Sequence, residues 1–145
     1  MLQVPLVRLD PDLPVPAYAR PGDAGVDLVA ADEHVLAARG GRAKVSTGVS
    51  VAIPDGHAGL VLPRSGLALR HGVTCLNTPG LIDAGYRGEL QVLLVNTDPE
   101  QDHTVRRGDR IAQLVVLAVE HVAFTVVDGH DATERGEGGW GSTGS

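Results

Sequence analysis

Arg110-Ile111-Ala112-Gln113-Leu114-Val115-Val116-Leu117-Ala118-Val119 runs for ten residues without proline or glycine, and with one polar side chain in its interior. Rich in Val and Leu, the run reads as a strand. Alternate residues of a strand share a face, which places Ile111, Gln113, Val115, Leu117 and Val119 together with Gln113 the only polar member. A buried amide without partners costs about 1–3 kcal/mol. Gln113 therefore either bonds to neighbouring backbone or faces a polar ligand at the rim of the sheet, and the strand alone does not decide between the two.

Working outward, the same kind of segment recurs between closely spaced breakers. Nine prolines separate short apolar runs. The candidate strands are 4–8, 26–30, 42–45, 49–53, 59–62, 73–76, 89–96, 110–119 and 122–127. Many short strands at close spacing point to an all-β sandwich or barrel. Aromatic residues make up only 3% of a chain that is 43% hydrophobic, so the core has to be built from Val, Leu, Ile and Ala. Only Ser65–Arg70 looks helical, with Ser65 as the expected N-terminal cap and Gly72 as the stop. At 145 residues one domain is expected, its folded body over residues 1–134 and a tail over 135–145.

The charge balance narrows the function. Twelve basic and 18 acidic residues leave a net charge of −6, which disfavours nucleic acid as a partner for the surface while leaving room for a locally basic pocket. The single cysteine, Cys75, permits no intrachain disulfide, in keeping with a reducing compartment. No signal-peptide pattern opens the chain and no apolar run approaches the roughly 18 residues of a membrane span, so no membrane association and a cytoplasmic location are expected.

Five segments carry candidate chemistry. In Asp23–Leu28 two carboxylates, Asp23 and Asp27, flank a glycine; the segment is a turn into a strand or a holder of hydrated Mg²⁺. Pro63-Arg64-Ser65-Gly66-Leu67-Ala68 is either an ordinary capped helix start or a phosphate cradle of guanidinium, hydroxyl and backbone N–H. The loop Asn77–Glu89 brings an amide able to read a base edge (Asn77), a carboxylate able to activate water (Asp83) and a phenol ring (Tyr86) within ten residues. Arg106-Arg107-Gly108-Asp109-Arg110 reads alone as a structural turn in which Arg110 forms an ion pair. The tail Arg135–Gly144 holds five glycines in ten residues and also the only tryptophan, Trp140, the composition of a segment that orders only when it folds over a flat ligand. Six scattered histidines show no ligand spacing, and no zinc site is expected.

In order and spacing these segments resemble the five signature motifs of the trimeric dUTPase family, here 23–28, 63–68, 77–89, 107–114 and 135–144. The resemblance covers nearly the whole chain. It implies a distorted jelly roll with one short helix and a glycine-rich C-terminal arm. It also implies a homotrimer with shared interfacial sites, Mg²⁺ as cofactor, and hydrolysis of dUTP to dUMP and pyrophosphate by water attack at the α-phosphorus. By that resemblance Asp83 activates the water. Asn77 and the Gly80-Leu81-Ile82-Asp83 hairpin read uracil and exclude the thymine methyl. Tyr86 packs under deoxyribose, while Arg64, Ser65, Gly66 and Gln113 bind phosphates. Asp27 holds Mg²⁺ through water, and the triphosphate supplies the direct ligands. Arg135, Gly139, Ser142 and Thr143 clamp the γ-phosphate from the arm, and Gln91 lies where some members contact substrate. Trp140 departs from the phenylalanine common at the arm position over the base, but a larger ring still stacks. Two other classes remain: a dCTP deaminase on a related fold, which would need a changed Asp83 loop, and a non-catalytic nucleotide-binding trimer, which would not need Asp83.

Overall fold

The computed structural model describes residues 1–134 and 136–137. Ten strands and one helix follow in chain order: β1 (Leu6–Arg8), β2 (Val26–Val29), β3 (His34–Leu36), β4 (Arg42–Val51), β5 (His57–Leu62), α1 (Ser65–His71), β6 (Val73–Cys75), β7 (Gly80–Ile82), β8 (Glu89–Asn96), β9 (His103–Val105) and β10 (Arg110–Ala118). One four-stranded sheet has the order β1-β4-β8-β6 and the other β2-β10-β5-β7, while β3 and β9 form a separate ribbon. The fold is an all-β jelly roll with one short helix, as expected. No helix among the described residues is long and apolar enough to cross a membrane.

Alternation along each strand builds the interior. On β8, Leu90, Val92 and Leu94 point inward and meet Val45, Val49 and Val51 of β4. From the facing sheet come Leu28, Val61, Ile111, Ala112 and Leu114. The core holds no aromatic ring. Its one fully enclosed amide, Asn96, has 0% exposure and is satisfied: Nδ2 donates to the carbonyls of Leu36 (3.0 Å) and Gln101 (2.8 Å), and Oδ1 accepts from the N–H of Asp98 (2.9 Å). Asn96 thereby ties β8 to the β3–β9 ribbon.

Several boundaries differ from the sequence reading. The runs 42–45 and 49–53 belong to one ten-residue strand, β4, whose pairing with β8 shifts register between Ser46 and Ser50. Gly48 takes φ +70° in this bulge, a conformation that favours glycine, and the Glu89 carboxylate accepts its N–H at 2.8 Å. The ribbon strands β3 and β9 were not expected: each is three residues long and exists through pairing with a partner about seventy residues away. Residues 122–127 form no strand in this chain, and their side chains stand exposed. Arg64, not Ser65, occupies the N-terminal cap of α1, without a side-chain capping bond; Gly72 ends the helix in the left-handed conformation, as expected.

Candidate active site

Strand β10 first decides which way Gln113 points. A register shift between Arg110 and Ala112 makes Ile111 the extra residue of a bulge against β2. Ile111 and Ala112 both become buried, and beyond them the alternation is reversed. The expected face of Ile111 with Gln113 is therefore split: Ile111 enters the core, while Gln113, Val115 and Leu117 look outward. The backbone-bonding reading of Gln113 holds, and the residue also borders open space. Its Nε2 donates to the carbonyl of Pro63 (3.0 Å), and the residue lines an open cleft. Its Oε1 stands 3.0 Å from where a Cβ on Gly25 would sit, so the absence of a side chain at Gly25 gives the amide its room.

That cleft, of about 630 Å³, lies on the outer face of the β2-β10-β5-β7 sheet. It gathers Asp27, Arg64, Ser65, Gly66 and Gln113, five residues that the sequence reading assigned to phosphates and metal. Asp27 on β2 is held from two sides: Arg64 Nε donates to Oδ1 at 2.9 Å, and Arg110 Nη1 reaches Oδ2 at 3.4 Å. The ion pair foreseen for Arg110 thus lies inside the site. Arg20, Asp23, Arg70 and Arg110 also line the cleft and were not among the expected binding residues. For Arg70 a signal existed: it stands four residues after Gly66 on a helix, a spacing that stacks the two positions on one face.

Among the described residues no group of three or more His, Cys, Asp or Glu side chains is placed to hold a metal. Asp23 and Asp27 nonetheless bring two hard carboxylates to the arginine-rich wall. Mg²⁺ is usually held by one or two carboxylates with substrate phosphates and water completing its shell. The donor set fits an ion that arrives with a polyphosphate.

The second group of expected residues lies elsewhere. Asn77, Leu81, Ile82, Asp83, Tyr86 and Gln91 line a recess of about 280 Å³, with Lys44, Glu89 and Leu93. The segment Gly80–Ile82, expected as part of a hairpin loop, is edge strand β7, paired with β5 through Val61↔Gly80, Leu60↔Leu81 and Gly59↔Ile82. Gly80 is buried against Val61 and, unlike Leu81 and Ile82, does not line the recess. Tyr86 is positioned by its hydroxyl, which donates to the carbonyl of Glu89 (2.9 Å), and by packing of its ring on Gly88, where a Cβ would overlap it. Tyr86 N–H closes a turn onto the carbonyl of Asp83 (3.1 Å). The Asp83 side chain itself is exposed and makes no hydrogen bond among the described residues. Gln91 Nε2 donates to Ser46 Oγ (3.3 Å).

The two groups share no residue. Leu90, Val92 and Leu94 face inward on β8, so Glu89, Gln91 and Leu93 face out of the other sheet, and the recess opens there beside the β7 edge. Arg135, Gly139, Trp140, Ser142 and Thr143, the arm residues of the sequence reading, lie outside the described residues.

The class of protein is a jelly roll with an arginine-lined cleft and a separate recess that holds an amide and a carboxylate. The dUTPase family model matches residues 12–144. The deoxyuridine 5'-triphosphate nucleotidohydrolase of Thermobifida fusca is 58% identical over 143 residues, covering 99% of this chain and 79% of that one. Its counterpart in Nocardia farcinica is 56% identical over 141 residues, with 97% and 85% covered. Among solved structures, the dUTPase of Staphylococcus bacteriophage 80alpha with dUPNHPP matches at a TM-score of 0.91 and 27% identity, covering 100% of both chains. The chain belongs to the dUTPase family.

Proposed function

We propose that the protein is a dUTP diphosphatase that completes each active site from more than one copy of the chain. The observation that carries the second half of this reading is the separation of the two groups. The cleft opens on the outer face of the β2-β10-β5-β7 sheet, while the recess opens where that sheet's β7 edge meets the outward residues of β8, and the two have no lining residue in common. With no lining residue in common, the cleft and the recess of one chain read as halves of different sites. The cleft of one copy and the recess of the next make a complete site, and the homotrimer of the family closes that relation on itself. Two exposed apolar features support a partner chain. Leu60, Leu62, Val115 and Leu81 share the outer face on which the cleft lies. Farther on, Phe124 and Val126 are 94% and 96% exposed on the alternating run 122–127, which has the pattern of a strand but no partner strand among the described residues.

In the assembled site Asn77 and the β7 backbone read the uracil edge, and the close β5–β7 pairing leaves little room beside C5 for a methyl group. Tyr86 packs against the sugar and disfavours a 2′-hydroxyl. Arg64, Ser65, Gly66 and Gln113 hold the phosphate oxygens. Asp83 takes the proton of a water as its oxygen bonds to the α-phosphorus. The bond from that phosphorus to the bridging oxygen breaks, and pyrophosphate leaves with the electron pair. Asp27 would hold Mg²⁺ through water, and an ion there would neutralise phosphate charge. Arg135, Gly139, Ser142 and Thr143 close the arm over the γ-phosphate, and Trp140 stacks on the base. The reaction lowers the dUTP available to DNA synthesis and supplies dUMP for dTMP formation. Cys75, buried and free among the described residues, suits a reducing compartment, and the assigned location is the cytoplasm.

The deciding experiment is pyrophosphate release with Mg²⁺ from dUTP, dTTP, dCTP and UTP, alongside sedimentation of the protein. Cleavage of dUTP alone by a trimer is the expected result. Ammonia release from dCTP would point to a deaminase, and a folded trimer that binds dUTP without turnover would be a binding module.

A further inference from the structure

Four guanidiniums line the cleft, those of Arg20, Arg64, Arg70 and Arg110. They are not equivalent. Arg64 and Arg110 share the charge of Asp27. Asp23 spends a carboxylate oxygen on the backbone N–H of Arg20, at 2.8 Å, rather than on a guanidinium. The guanidiniums of Arg20 and Arg70 have neither an ion pair nor a hydrogen-bond acceptor among the described residues. The cleft's uncompensated positive charge therefore stands on these two residues.

Arg70 is the better placed of the two. Its side chain runs back along α1, the direction helical side chains favour, and lies over Gly66. Its Nη2 and Nη1 stand 3.0 and 3.2 Å from where a Cβ on Gly66 would be. A side chain at Gly66 would make the guanidinium give way by a few tenths of an ångström, and glycine there lets the arginine keep this seat. A guanidinium offers five N–H donors in a fixed plane and keeps its charge at any physiological pH.

We propose that Arg70, supported by Arg20, makes the cleft select polyphosphates by charge and so separates the triphosphate substrate from its monophosphate product. The proposal rests on the reading of this cleft as the phosphate site. Arg64 and Arg110 are already balanced in part by Asp27 and respond to any phosphate that displaces or shares it. The two uncommitted cations have no internal counter-charge, and their attraction grows with each phosphoryl group a ligand adds. A monophosphate leaves them largely unused, which weakens product retention without weakening substrate capture.

The test compares Arg70→Gln and Arg70→Lys with the wild type. Three quantities are measured: KM for dUTP, the inhibition constant of dUMP, and calorimetric binding of inorganic tripolyphosphate. For R70Q, KM and the tripolyphosphate Kd are each expected to rise about tenfold, roughly 1.4 kcal/mol, while the dUMP constant moves less than about twofold. R70K, which keeps the charge, is expected to recover most of both losses. Arg70 is exposed, so both variants should unfold within about 2 °C of the wild type. Equal weakening toward dUMP and tripolyphosphate would assign Arg70 a merely structural role, and no change toward either would remove it from the site; each overturns the proposal. If the wild type fails to hydrolyse dUTP but R70Q still weakens tripolyphosphate, the enzymatic reading falls and the charge-selecting cleft stands.

Discussion

Replacing Asp83 by Asn changes one atom type in the recess and separates chemistry from folding. Asp83 is exposed, and its side chain makes no hydrogen bond among the described residues. Its loss therefore falls among surface substitutions, within about 0.5 kcal/mol of neutral. For a chain of this size that moves the unfolding midpoint by less than about 2 °C. Asn keeps the shape of the side chain and its capacity to accept a hydrogen bond, but it cannot take a proton from water. A positioned general base contributes about 10²- to 10⁴-fold, or roughly 2.7–5.5 kcal/mol of barrier. Pyrophosphate release by D83N is expected to fall by that factor, while calorimetric binding of a non-hydrolysable dUTP analogue with Mg²⁺ stays within about threefold of the wild type. Tyr86 is held by the Glu89 carbonyl and β7 by its pairing with β5, neither through the Asp83 side chain, which is why binding survives. Turnover within tenfold of the wild type would show that Asp83 is not the base. Loss of binding together with turnover would make it a ligand contact instead.

Other expectations follow from the core, the surface and the arm. Asn96→Ala leaves the buried carbonyl of Leu36 and the less enclosed carbonyl of Gln101 and N–H of Asp98 without their partner. It should cost about 2–4 kcal/mol, lowering the thermal midpoint by roughly 4–16 °C, measured by calorimetry; a shift under 2 °C would mean that the amide is dispensable. The Arg107 guanidinium bonds to both oxygens of Asp10, and to the carbonyl of Ala31 at 2.7 Å, and this holds the Asp10 carboxyl below its ordinary pKa. A depressed carboxyl stabilises the fold above its unfolded pKa, and that stability is lost as pH falls through the folded value. Arg107→Ala should therefore lower denaturation midpoints at pH 7, and the gap to the wild type should narrow below about pH 3.9; a gap constant with pH would dissociate the bridge from stability. Trp140, the sole tryptophan, should change its fluorescence when the non-hydrolysable analogue binds with Mg²⁺, and a flat signal at saturation would remove it from the base.

Much of the molecule was legible in the residues, and for physical reasons. A Val- and Leu-rich chain with almost no aromatic side chains and frequent prolines has few ways to bury itself other than short strands, and the structure's ring-free core follows that composition. The left-handed stop at Gly72 was readable because a glycine without a Cβ penalty stood at the end of the only helical pattern. The motif order sufficed for the family, since the spacing of Asp27, Arg64, Asp83 and Gln113 is a property of the chain itself.

Other features depend on partners distant in sequence, and no local pattern encodes them. The strands β3 and β9 are three residues each and owe their form to one another. The segment 122–127 has a strand's alternation but no partner strand among the described residues, so propensity alone leaves it unpaired. The bulge at Ile111 arises where β10 meets β2, and it reverses which side of the strand Gln113 occupies; a strictly periodic reading placed Gln113 with Ile111 because period two has no memory of an inserted residue. The order of residues settles which chemical groups the protein owns and the β architecture that carries them. Folding in space settles that those groups divide between a cleft and a separate recess, and that Arg70 joins the cleft. Strand pairing and helix packing set the direction of each side chain in space, and a linear spacing does not.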